Sequence, residues 1–99
     1  MEYKGIAEKV NYLMQKSISK EYNEIDIKLI TSYLKEHSDK PILGKVFGYS
    51  VSDYAYATLK WIGSEQTNAI FDEHFSTLTQ SRKHIIQQLI DSKYYLQYN

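Results

Sequence analysis

The sequence predicts an all-α fold, an antiparallel four-helix bundle whose third helix is kinked or broken. Three observations lead there. Apolar residues recur at three- and four-residue spacing along most of the chain, cap-forming residues stand at the joints, and no run alternates apolar with polar as a half-buried strand would. With 99 residues, 42% of them apolar, the chain can build one modest core but not two. The expectation is a single helical domain over 1–99, with a tail at 93–99 that either packs or moves freely.

The first helix is expected from about Tyr3 to Lys16, because Ile6, Val10, Leu13 and Met14 fall on one stripe. Ser17-Ile18-Ser19-Lys20 reads as the connection. Asn23 caps the second helix, with Glu24 and Asp26 opposing the positive end of its dipole. Ile25, Leu29 and Tyr33 make one apolar row there and Ile27, Ile30 and Leu34 another, ending near His37-Ser38. Lys40-Pro41 signals a third start. Leu43, Phe47, Ser50, Tyr54, Ala57 and Trp61 keep a four-three repeat, so helix is expected from about Pro41 to Ile62. Gly44 and Gly48 each weaken it by about 1 kcal/mol. Ser50-Val51-Ser52-Asp53 resembles a capping box that would restart the helix at Ser50, placing the break near Gly48. Trp61-Ile62-Gly63 reads as a core tryptophan followed by a C-cap. Thr67 or Asn68 then caps a long last helix with the seam Phe71, Phe75, Leu78, Arg82, Ile85 and Leu89, bent at the poor helix formers between Ser76 and Ser81.

Composition narrows the function. Twelve basic and twelve acidic residues cancel, with eight lysines against seven acids in 1–50 and four basic residues against five acids after it. A neutral chain with one arginine, Arg82, lacks the cationic excess that usually drives duplex binding. Without cysteine there is neither a disulfide framework nor a thiolate metal site. His74 and His84 are ten residues apart, which does not put them on one side of a helical turn as a metal pair requires, and no metal or other cofactor is expected. No nucleophile motif or phosphate loop is present, so an enzyme is not expected. No apolar run approaches a membrane span, and a cytoplasmic protein, peripheral at most to the inner face of the membrane, is expected. Ten tyrosines remain, as core and boundary packing or as a partner surface. The partner-binding candidates are Arg82, Lys83, Tyr94, Tyr95 and Tyr98; if the tail is a separable element, truncation after Ser92 removes recognition and leaves helicity intact.

Two resemblances give these residues a role. Tyr33 to His37, with Gly44, Gly48 and the apolar positions from Leu43 to Ala57, resembles half of an AraC-type DNA-binding domain. That alternative is a small helix-turn-helix regulator whose recognition helix presents Ser52, Asp53, Tyr56 and Lys60 to nucleic acid. The other resemblance lies in Ala7-Glu8-Lys9-Val10, Leu13, Ser17-Ile18-Ser19-Lys20 and Asp26-Ile27, continuing more loosely through Pro41-Ile42-Leu43, Tyr49 and Tyr54 to about Leu78. In these the chain resembles the immunity proteins of pediocin-like (class IIa) bacteriocins, of the enterocin A immunity type. The resemblance implies a cytosolic four-helix bundle that protects the producing cell from its own pore-forming peptide. Its partner would be the membrane sugar permease that serves as the bacteriocin's receptor, with discrimination carried by the C-terminal half, here 64–99. Gly44, Gly48 and the cap at Ser50 depart from that family's more continuous third helix.

Overall fold

The computed structural model describes residues 5–38 and 45–97. They are mostly helical, in the order α1 (Ile6–Ser19), α2 (Glu24–Tyr33), β1 (Lys45–Val46), β2 (Tyr49–Ser50), α3 (Val51–Ile62), α4 (Glu65–Phe75) and α5 (Gln80–Ser92), closed by a 3₁₀ helix at Tyr94–Gln97. The expectations for Tyr3, for the start at Lys40-Pro41 and for Leu43 and Gly44 lie outside the described residues.

α3 is the axis of the fold. Every residue in it except Lys60 is buried, and α1, α2, α4, α5 and the hairpin all pack on it. A helix enclosed on all sides is normally apolar throughout. This one carries Ser52, Asp53 and Thr58, so each needs an internal partner. Thr58 donates to the Tyr54 carbonyl at 2.8 Å, and Ser17 of α1 lies 3.1 Å from the Thr58 hydroxyl while donating to the Leu13 carbonyl. Ser52 donates to the carbonyl of Leu34 at 2.6 Å, tying α3 to the end of α2. Leu13, Met14, Ile30, Leu59, Ile86 and Leu89 fill the remaining space, and burying each such side chain stabilises by about 1.5–3 kcal/mol.

Local chemistry sets the helix ends. Asn23 and Asp26 form a reciprocal capping box at α2, at 2.9 and 3.0 Å. Ser50 and Asp53 form another at α3, so the helix does begin after Ser50. Gly63 ends α3 in the left-handed conformation, with φ 72°. The extended backbone of Ser64 then caps α4, accepting from the Thr67 N–H at 3.1 Å.

Several expectations are corrected. Residues 17–19 belong to α1, with Lys20 as C-cap, and α2 stops at Tyr33. Ile25 is 74% exposed and takes no part in an apolar row. Ser64, not Thr67 or Asn68, is the cap; Thr67 sits three residues inside the helix. The bend foreseen between Ser76 and Ser81 is a full interruption, with Thr79 capping α5 as a new helix. Residues 45–50, expected as helix with a kink or break near Gly48, are instead a hairpin, pairing Lys45 with Ser50 and Val46 with Tyr49. Its two-residue loop, Phe47-Gly48, has φ of 54° and 85°, and positive φ at both central positions is what a type I′ loop requires.

Candidate functional site

Three non-glycine residues among those described adopt positive φ: Lys20, Phe47 and Lys93. Left-handed backbone costs an ordinary L-residue about 1–2 kcal/mol, and glycine or asparagine usually takes such positions. Lys20 and Lys93 close α1 and α5, where the equivalent position of α3 is Gly63. All three belong to one region of the surface, where the hairpin and the C-terminal tail meet.

That region is built outward from α3. The Tyr54 hydroxyl donates to the carbonyl of Val46 at 2.8 Å, anchoring the hairpin, and its ring meets those of Tyr49 at 5.9 Å and Tyr94 at 6.4 Å. Phe47 leans on Tyr94 at 5.7 Å yet remains 78% exposed. On the other side of the tail, Tyr95 lies against Trp61 at 4.9 Å, while the Trp61 Nε1–H donates to the Ile90 carbonyl. The Lys20 ammonium sits 4.7 Å over the Tyr95 ring and donates to the carbonyls of Trp61 and Ser17. Leu96 ends the face, 67% exposed. The result is a rigid aromatic base with one phenylalanine and one leucine projecting from it.

The residues singled out from sequence divide among three places. Tyr94 and Tyr95 belong to this face as its half-buried base, Tyr94 against Tyr54 and Tyr95 against Trp61. Tyr98 lies outside the described residues. Arg82 lies twelve residues before Tyr94, about 18 Å along a helix, and turns inward. Its guanidinium donates to the Ser52 hydroxyl at 2.7 Å and stands 3.7 Å from the Asp53 carboxylate. Lys83 lies over the Phe75 ring at 5.8 Å. Arg82 and Lys83 therefore form no compact surface with the tail.

The residues proposed to contact nucleic acid are mostly enclosed. Ser52 is fully buried, Asp53 and Tyr56 are each 3% exposed, and Tyr56 packs edge-on against Phe71 and Phe75. Burial pushes the Tyr56 hydroxyl pKa above its ordinary value, against the opposing influence of Arg82. Only Lys60 faces outward, so α3 is a core helix and offers no reading edge to a groove. Gly48 stands in a hairpin loop rather than between two helices.

Phe47 and Leu96 were legible as apolar residues, not as a site. The available signal was Phe47-Gly48 two residues ahead of the cap at Ser50, a spacing that leaves room for a turn but none for a helix.

The arrangement defines a helical scaffold with an aromatic, lysine-bearing face and a hydrophobic core that encloses a few hydrogen-bonded polar groups. Comparison with family models, curated proteins and solved structures finds no match. Among the described residues no group of acidic and histidine side chains could hold a metal ion, and no helix is long and apolar enough to cross a membrane.

Proposed function

We propose that this chain is a non-catalytic binding protein of the bacteriocin-immunity kind, protecting a cell from a pore-forming peptide. Its working surface is the hairpin–tail face. One observation carries the choice of surface: Phe47 holds φ 54° while 78% exposed, so the chain keeps a strained aromatic where it contributes little to its own core. Exposed aromatics on a rigid base are the usual anchors of protein interfaces.

The resemblance supplies the particular role and the partner, the cytoplasmic side of a membrane sugar permease. The helix order is compatible with that family's antiparallel four-helix bundle, with α4 and α5 as two halves of an interrupted last arm. Both halves of the chain contribute to the face, the hairpin from one and the tail from the other.

The test is survival of sensitive cocci expressing the chain under a panel of pediocin-like bacteriocins. Selective protection is expected, and Phe47→Asn or Leu96→Ser should reduce it without loss of helicity. Protection against no member would remove the immunity role. Protection untouched by both substitutions would remove the face from it.

A further inference from the structure

We infer that the hairpin–tail face docks on an anionic lipid bilayer, with Phe47 and Leu96 entering the headgroup boundary, Lys45 and Lys93 meeting lipid phosphates, and Lys20, its ammonium held by the Trp61 and Ser17 carbonyls, adding its charge from behind. The inference rests on the preceding reading of this face as the working surface and adds the chemistry of what it meets.

Charge is the first argument. The whole chain is balanced at twelve basic and twelve acidic residues, yet the segments that build the face are not. Residues 17–20, 45–50 and 92–97 contain three lysines and no carboxylate. The two acids that flank these segments, Glu21 and Asp91, are exposed and lower the excess from three positive charges to one, so the face stays net cationic. A cationic face of this kind complements an anionic surface.

Shape and chemistry are the second. Phe47 is at the tip of a two-residue loop, the furthest point the hairpin can present, and its ring is backed by Tyr94. Leu96 projects beside the same tyrosine-rich turn. An apolar tip above half-buried tyrosines and flanking lysines matches the layering of a membrane interface, where acyl chains, aromatic girdle and headgroups succeed one another.

The third argument is that strain and charge coincide. Two of the three lysines, Lys20 and Lys93, occupy left-handed positions where glycine would fold with less strain, as does the phenylalanine. A second copy of this chain fits less well. A two-fold contact would set the same net-cationic patch against itself, with like charge facing like.

The experiment is flotation of the purified full chain with two kinds of vesicle, phosphatidylcholine alone and phosphatidylcholine mixed with phosphatidylglycerol. Co-flotation is expected only with the mixed vesicles and should weaken as salt rises. Phe47→Asn should reduce partitioning by about tenfold to hundredfold, the effect of withdrawing one large apolar side chain. Lys93→Gly should reduce it by about fivefold. Both substitutions suit the local backbone, so the variants should keep wild-type helicity. No flotation with the mixed vesicles, equal flotation with neutral ones, or partitioning indifferent to Phe47→Asn would each overturn the inference. The assay contains neither toxin nor permease. Protection in cells without vesicle binding would point to a protein partner and refute lipid docking alone; vesicle binding without protection would do the reverse.

Discussion

The flank formed by α1 and α2 and the face formed by the hairpin and tail use the same materials, tyrosine and lysine, to opposite ends. On the flank, Lys9 meets Glu36 at 2.6 Å and lies over the Tyr33 ring, while Lys16 meets Asp26 at 3.1 Å and lies over Tyr12. The Tyr12 hydroxyl donates to the same Asp26 carboxylate at 2.5 Å, and Tyr12 and Tyr33 pack edge to face. These two lysines and two carboxylates answer one another within the fold. On the hairpin–tail face the tyrosines pack inward in the same manner, but the lysines have no carboxylate in their own segments and two apolar side chains stand out in solvent. The difference teaches that aromatic content alone does not mark a surface. What marks it is a side chain held at a conformational cost without a return in burial.

The largest expected effect joins the two regions through the core. Trp61→Ala removes the base under Tyr95 and the donor to Ile90, and should lower unfolding free energy by about 3–5 kcal/mol. Urea denaturation measures the loss, and amide exchange should show residues 94–97 opening before the α1–α2 flank. If the flank opens first, the tail does not depend on α3 as described.

A smaller effect tests whether the flank is closed on itself. The hydrogen bond from Tyr12, then those from Lys16 and the Asn23 N–H, hold the Asp26 carboxyl below its usual pKa against the opposing cost of desolvation. A lowered folded pKa gives stability that is complete above the unfolded value of about 4 and is lost as pH falls through the folded one. Burial, and then Asp26, push the Tyr12 hydroxyl upward, so its contribution is complete below about 10 and is lost as pH rises through its folded value. Tyr12→Phe should cost about 1 kcal/mol at neutral pH and flatten the acid limb of stability below pH about 4. An unchanged acid limb would mean the Tyr12 contact contributes nothing to the flank.

Much of the helical architecture was legible because its signals are local. The Asn23 cap, the Ser50 box and the Gly63 stop each act within four residues, and each operates as read. Where several cap formers crowd together, at Ser64, Thr67 and Asn68, sequence alone does not choose; the left-handed exit at Gly63 does, by setting Ser64 in extended backbone. The hairpin was hidden for three reasons. Its strands are two residues each, too short to alternate; its loop carries phenylalanine where asparagine is usual; and Phe47, Ser50 and Tyr54 happen to keep helical spacing. The candidate site was half legible. The tail tyrosines announced themselves by number, whereas the inward turn of Arg82 depends on Ser52 and Asp53, some thirty residues away in sequence and visible only once the chain is folded.

The central claim is that Phe47 serves something outside the fold, and the unfolding free energy of Phe47→Asn tests it without knowledge of any partner. Asparagine suits the left-handed position and forms, with Gly48, the preferred type I′ pair. The account predicts a gain of roughly 1 kcal/mol over the wild type, since strain is relieved and little burial is lost. A loss of about 3–5 kcal/mol, the value for removing a core aromatic, would place Phe47 among the residues that hold the protein together and contradict the claim.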